Sequence, residues 1–473
     1  MAELLEKPRI CAHCNEPGCQ LKCPCKLALY CGRSCQEANW PEHKKSCSWH
    51  LSKKIDLKKK ELGGHHVEVA EAHLEAADLL VDQQRYPQAE ASYLQLRRTL
   101  TRDHGEGRAV ALQRDGVNLQ GDAALAFVDF KLASMYDEMG RHEEASSLWR
   151  KCLKTFRRET GPRSEFVGKT LGQIGQGLYH RRQYEEALTK LDEAICILRE
   201  QGGDQSASVC KCVEAKGSAY HKMGRFSDAR AMYEEGKKIN ERIHGKDSSS
   251  FASSVYNLAN LLYEAGETEQ ARENYELALG IFRRVNGEKH TTVATTFNNL
   301  GACLQGQGQT ADAFEMFKKA YKIKRGILGS QHFDVGTSLM NMGMMQRSMA
   351  NHDQAVEWFE KALTTYKAAL GIDHGQLAKV NLFMAVSRYA IGDADGARRD
   401  AKESVRIFKK IFQDQKNRPR DFQSDFLFER AKFFLSIFER GLVLPAKGDF
   451  SEMLDCNMDL TSFLRQAGLS HLL

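Results

Sequence analysis

Proline is scarce in this chain, at 8 of 473 residues, and a run of about 18 apolar residues, the minimum for a membrane-spanning helix, is missing. Scarce proline permits long helices, because proline removes a backbone donor and clashes with the preceding turn. The N-terminus, MAELLEKPRI, lacks the apolar core of a secretory signal. A phosphate-cradling glycine loop is missing, as is any grouping of nucleophile, base and orienting acid. These absences point to a non-enzymatic protein of the cytoplasm or nucleus, without a membrane role.

Charge is present but unevenly placed. Of the net +6, residues 1–66 carry 12 Lys and Arg against 7 Asp and Glu. A basic segment can meet an acidic partner or nucleic acid, or simply be solvated charge. Cysteine is clustered: 14 occur and 8 lie between Cys11 and Cys47. In a reducing compartment such a cluster reads as metal ligands before disulfides. The pairs Cys11/Cys14, Cys23/Cys25, Cys31/Cys35 and His43/Cys47 supply eight thiolate and imidazole ligands. That suffices for two closed tetrahedral Zn²⁺ sites, which are structural because no position is left for water. A segment this short buries too little apolar surface to fold without metal.

The spacing Cys11-x2-Cys14, Cys25-x4-Tyr30-Cys31, Cys31-x3-Cys35-Gln36, Trp40 and His43-x3-Cys47 resembles a MYND-type zinc finger. That resemblance implies interleaved sets: Cys11, Cys14, Cys31 and Cys35 for one ion, and Cys23, Cys25, His43 and Cys47 for the other. The family's usual C-x2-C is here a tighter C-x-C, with Lys22 where a cysteine would fall, and Cys19 is the alternative to Cys23. The resemblance also implies docking of proline-containing peptides near Gln36 and Trp40. An exposed Trp40 suits proline, and the same ring could instead anchor the finger's core. The eight ligands and few spare basic side chains argue against reading of nucleic-acid bases.

Beyond the finger, alanine recurs every 42 residues, at Ala145, Ala187, Ala229, Ala271, Ala313, Ala355 and Ala397. A strict period of this size means stacked supersecondary units. Twelve residues earlier stand small residues: Ala133, Gly175, Gly217, Ala259, Gly301, Gly343 and Ala385. Four residues later stand bulky ones: Trp149, Leu191, Tyr233, Tyr275, Phe317 and Phe359. Small residues let two helices approach, and the large one fills the adjoining hole. Turn glycines at Gly140, Gly224, Gly266, Gly308 and Gly392 suit positive φ.

This small–small–aromatic order resembles the tetratricopeptide repeat (TPR), and the 42-residue unit resembles kinesin light chain repeats. The expected fold is mostly α, a TPR α-solenoid of about eight 42-residue helical hairpins with a small N-terminal zinc finger. Its parts are expected at 1–50 for the finger, 51–66 for a basic helical linker, 67–420 for the repeats and 421–473 for a C-terminal helical cap. The step from Ala89 to Ala145 exceeds one period by about 14 residues, which predicts an exposed loop inserted near 101–122.

In such an array the first helix of each unit lines an inner groove. There Asn257, Asn299 and Asn341 recur at unit spacing, with Ser253, Thr295 and Thr337 one turn earlier. A carboxamide both donates and accepts, so this row can grip the backbone of an extended peptide, as the kinesin light chain resemblance also implies. The same carboxamides could instead bond neighbouring helices. Lys131, Lys169, Lys211 and Lys379 fall on related inward rows and would favour acidic peptides. His290, His332 and His374 repeat too, but each sits in an inter-unit turn, which suits a cap.

These features predict a scaffold or adaptor with two structural Zn²⁺ ions and protein or peptide partners. The competing classes are a kinesin-light-chain-like cargo adaptor, a transcription-associated cofactor and a relative of SET-type lysine methyltransferases. The last would need a strand-rich catalytic domain, and the helical pattern follows the finger too closely to house one.

Overall fold

The computed structural model describes residues 21–22, 29–30, 48–63, 66–105, 111–114, 117–204, 206–414 and 422–440. The described residues are mostly helical. In chain order a short ribbon, β1 (Leu21–Lys22) with β2 (Leu29–Tyr30), precedes α1 (Ser48–Leu62), α2 (Val67–Asp82) and α3 (Tyr86–Gly105). A second ribbon, β3 (Ala111–Arg114) with β4 (Val117–Gln120), comes before α4 (Gly121–Glu138) and α5 (His142–Glu159). Then follow α6 (Glu165–His180), α7 (Tyr184–Gly202), α8 (Ala207–Lys222) and α9 (Phe226–His244). Next are α10 (Ser249–Glu264), α11 (Thr268–Asn286), α12 (Thr291–Gly306) and α13 (Thr310–Leu328). The last helices are α14 (Phe333–Ser348), α15 (His352–Leu370), α16 (Gly375–Ala390), α17 (Ala394–Asp414) and α18 (Phe422–Arg440). From α2 to α17 the helices alternate as first and second members of eight hairpins. The chain divides into two compact units, Met1–Met232 and Tyr233–Leu473.

Every alanine of the 42-residue ladder is fully buried, at 0% exposure. The interlock beside it is tight. A Cβ added to Gly175 would lie 2.7 Å from Leu191 Cγ, and one added to Gly343 would lie 2.6 Å from Phe359 Cε1. Helix–helix approach here is therefore set by the absence of a side chain on one partner and the bulk of the other.

The turns within the hairpins share one mechanism. In the sixth hairpin the Gly308 N–H donates to Gln305 O (2.9 Å) and the Gln309 N–H to Leu304 O (2.9 Å). This paired closure of a helix C-terminus requires a left-handed residue, and Gly308 has φ 75°. Three hairpins lack the glycine but keep the conformation: Gln84, Arg182 and Ala350 sit at φ 56°, 62° and 59°. Ala350 makes the same two closures, from its own N–H to Arg347 O and from Asn351 to Gln346 O. A left-handed L-residue costs about 1–2 kcal/mol, so exposed Ala350 stores strain. Ala350→Gly should stabilise the second unit by about 0.5–1 kcal/mol after the added unfolded-state entropy is subtracted. Gly308→Ala should lose a similar amount. Urea denaturation of the two variants checks this, and an Ala350→Gly protein weaker than its parent would sink the argument.

Seven of the eight first helices start on a side-chain cap, the exception being α4, whose N-cap Gln120 makes no side-chain bond. Ser164, Ser206 and Ser248 accept from the backbone N–H of Val167, Val209 and Phe251. His66, His290, His332 and His374 do the same through Nδ1, accepting from Glu68, Thr292, Asp334 and Gln376 at 3.1–3.2 Å. The recurrent histidines are thus helix caps.

Two segments outside the period also pack. Ile55 of α1 is buried against Ala72 and Ala76 of α2, and Lys58 pairs with Glu68 at 2.6 Å. Burial and the charge of Lys59 push the His73 imidazole down to about 4, so the ring at this seam is neutral. At the other end, Leu427, Ala431, Phe434 and Ile437 of α18 join the buried cluster built from α14 to α17.

The insertion departs from the expected exposed loop. Residues 101–105 continue α3, and 111–114 pair with 117–120 in an antiparallel hairpin that sets Leu112 opposite Leu119. Both leucines are buried, at 0% and 1%, against α2 and α4. The signal was in the sequence: Asp115-Gly116 between two short alternating runs is a strong hairpin pattern.

Candidate functional site

The proposed groove residues stand on α10, α12 and α14, all in the second unit. Asn257, Asn299 and Asn341 are half-buried. Asn299 is the centre of a network that crosses between consecutive first helices. Its Nδ2 donates to Tyr256 Oη at 2.7 Å and to Asn260 Oδ1 at 3.0 Å. Asn260 Oδ1 also accepts from the Tyr275 hydroxyl at 2.7 Å. Burial raises both the Tyr256 and Tyr275 phenols above their ordinary range, so both stay protonated. One repeat later the Asn341 Nδ2 donates to Asn298 Oδ1 at 3.2 Å.

Asn299 and Asn341 therefore bond helix to helix through their NH₂ groups. Among the described residues the Oδ1 of Asn299 and of Asn341 accepts nothing, and Asn257 makes no side-chain hydrogen bond. The hydroxyls one turn earlier mostly face their own helix. Ser253, Thr295 and Thr337 donate to Ser249 O, Thr291 O and Phe333 O, while Thr337 also accepts from the Tyr366 hydroxyl at 3.0 Å.

The lysines of the inward rows are largely engaged within the chain. Lys131 pairs with Asp78 at 3.0 Å, Lys169 with Glu165 at 2.9 Å, and Lys379 lies over the Phe383 ring. Cys152, Cys210, Cys212 and Cys303 are buried. Burial pushes the Cys152 and Cys212 thiols up to about 12, which suits core packing and not metal binding.

The expected Zn²⁺ ligands Cys11, Cys14, Cys31, Cys35, Cys23, Cys25, His43 and Cys47 lie outside the described residues, as do Cys19, Gln36 and Trp40. What is described is the ribbon between them. Leu21 pairs with Tyr30 and Lys22 with Leu29.

One polar site escaped the sequence reading. Asp129 of α4 is buried, its side chain only 4% exposed, with Arg97 Nε at 2.6 Å and Lys151 Nζ at 3.5 Å. It borders a cavity of about 360 Å³ between α3 and α5. A lone acid inside the apolar run AALAFVDFKLASMY was the available signal.

Comparison with known proteins follows this geometry. The tetratricopeptide repeat family matches residues 122–200, 166–242, 250–326 and 334–410, and the MYND finger matches residues 11–47. Dauer abnormal formation protein 25 of Caenorhabditis elegans is 48% identical over 42 residues, which is 9% of this chain and 11% of that protein. The match thus spans about a tenth of that relative. Among solved structures, the STAND-type signal transduction ATPase with a tetratricopeptide repeat sensor from Pyrococcus horikoshii is 15% identical. It covers 85% of this chain and 54% of its own, with a TM-score of 0.55, a likeness of fold alone. The TPR-like repeats of a kinesin-light-chain-like protein of Podosopora anserina are 18% identical and cover 43% of this chain and 96% of their own, with a TM-score of 0.39.

Among the described residues no helix is long and apolar enough to cross a membrane. Both matched modules are typically non-catalytic and bind proteins or peptides, and a MYND finger implies bound zinc. Together they mark a protein-interaction scaffold. With the repeat family matched over more than half its length, the chain belongs to the tetratricopeptide repeat proteins and carries a MYND finger at residues 11–47.

Proposed function

We propose that this scaffold joins two partners: a proline-containing peptide at the finger, near Gln36 and Trp40, and an extended peptide along the asparagine row of the second unit. The division follows the expected parts, with the finger at 1–50, a linker at 51–66, repeats at 67–420 and a cap at 421–473. The observation that carries the groove reading is the fixed carboxamide row. The NH₂ groups of Asn299 and Asn341 are tied to the first helix of the preceding hairpin, which orients their Oδ1 atoms as acceptors. Acceptors at repeat spacing suit the N–H groups of an extended backbone, whatever its side chains.

The test selects binders to the full-length protein from a random peptide display library and measures their affinity for variants by fluorescence anisotropy. Each lost hydrogen bond is worth about 0.5–1.5 kcal/mol, so Asn299→Ala with Asn341→Ala should weaken binding by about ten-fold or more. Asn257→Ala separates binding from packing. It should weaken binding several-fold with no change in Tm, because Asn257 makes no internal bond. Unchanged affinity in both variants would remove the groove assignment.

A further inference from the structure

The first unit carries a charge feature on its second helices that the groove reading does not use. Residues 95–102 of α3 hold Arg97, Arg98 and Arg102, and residues 148–158 of α5 hold Arg150, Lys151, Lys154, Arg157 and Arg158. Neither stretch contains an Asp or Glu. The two stretches face each other across the 360 Å³ cavity, which is lined by Arg97, Thr101, Lys151, Thr155 and Arg158 with Asp122 and Asp129 of α4 at its base.

Internal pairing consumes only part of this charge. Arg97 and Lys151 share Asp129, Arg158 meets Asp122 and Glu159, and Arg157 meets Glu193 at 2.6 Å. Arg98, Arg150 and Lys154 are exposed and have no acidic partner among the described residues. The helix dipole does not account for them. It favours cations only within the last turn, whereas Arg150, Lys151 and Lys154 all lie before the last turn of α5. The next second helix, α7, has the opposite balance, with Glu185, Glu186, Asp192, Glu193 and Glu200 against Lys190 and Arg199.

We propose that this basic face and its cavity dock an acidic, Asp- and Glu-rich segment of a partner protein, at a site separate from the asparagine row. A surplus of exposed cations around a polar cavity attracts and steers such a segment, and Thr155 places a hydroxyl at the cavity wall. Two other anionic surfaces fit less well. Single-stranded nucleic acid needs aromatic platforms, and the two aromatics of these basic stretches, Trp149 and Phe156, are both 1% exposed. An anionic bilayer wants apolar side chains to insert, and none of the exposed large hydrophobics belongs to α3, α4 or α5.

The experiment titrates full-length protein against fluorescein-labelled poly-glutamate and follows anisotropy at low and high salt. Saturable binding that weakens with salt is expected. Arg150→Glu with Lys154→Glu should weaken it at least ten-fold, and Arg150→Gln with Lys154→Gln by an intermediate amount, with far-UV circular dichroism unchanged. The control, Lys289→Glu with Lys409→Glu, makes the same charge change at two exposed lysines of the second unit and should leave binding within two-fold. Equal weakening by control and test variants would overturn the proposal, as would tighter binding of single-stranded DNA or of phosphatidylserine vesicles than of poly-glutamate.

Discussion

Phe359→Ala should cost the second unit about 3–5 kcal/mol, the range for deleting a fully buried aromatic ring. Phe359 is 0% exposed, fills the space over Gly343 and lies 6.2 Å, centroid to centroid, from the Phe383 ring of the next hairpin. Losing it removes one contact within its own hairpin and one with its neighbour, the two kinds of term that hold a repeat array together. Hydrogen exchange should therefore show faster opening across α14, α15 and α16 before it reaches the rest of the unit.

Gly343→Ala tests the same interlock from the other side. The added methyl would stand 2.6 Å from the Phe359 ring, so overpacking should cost about 1–3 kcal/mol. In the Phe359→Ala background the same methyl meets no ring, and the helix preference for alanine over glycine should make it neutral or stabilising by up to about 1 kcal/mol. A double-mutant cycle by denaturant unfolding should thus report a coupling above about 1 kcal/mol. Additive effects would mean that Gly343 is small for another reason.

The same residues explain how much of the fold the sequence disclosed. The positions of Ala355, Gly343 and Phe359 could be read from the period alone, because helical packing repeats whenever the sequence does. The turn at Gly308 was legible for the same reason. At Ala350 the conformation persists without its residue, since the flanking helices impose the turn and the chain bears the strain. The period says nothing inside an insertion, so the hairpin around Leu112 and Leu119 could only be found from local turn chemistry.

The candidate site divides similarly. Spacing placed Asn257, Asn299 and Asn341 on successive first helices. It left their internal bonds undetermined, because the reach from Asn299 to Tyr256 and Asn260 depends on how closely two helices approach. Asp129 breaks the apolar pattern of its own helix, and its cation partners come from two other helices, so no local window shows the cavity they form.

The finger offers the second large effect. Stripping zinc with a strong chelator should unfold residues 11–47 outright, since apparent binding energies of structural Zn²⁺ are about 10–16 kcal/mol and so short a segment has no core to replace them. The repeats should keep their helicity, because each hairpin buries its own alanine and aromatic contacts. Limited proteolysis should then cut within residues 11–47 and spare the helices from α2 onward. Elemental analysis of the untreated protein should give two zinc ions per chain. Cys31→Ser should remove one of them and Cys25→Ser the other. Cys23→Ser compared with Cys19→Ser decides the remaining ligand: the variant that loses an ion identifies it, because a thiolate that bonds metal cannot be replaced by a hydroxyl without loss of affinity. A single zinc in the parent protein would remove the interleaved assignment and leave one of the two four-ligand sets without a metal to hold.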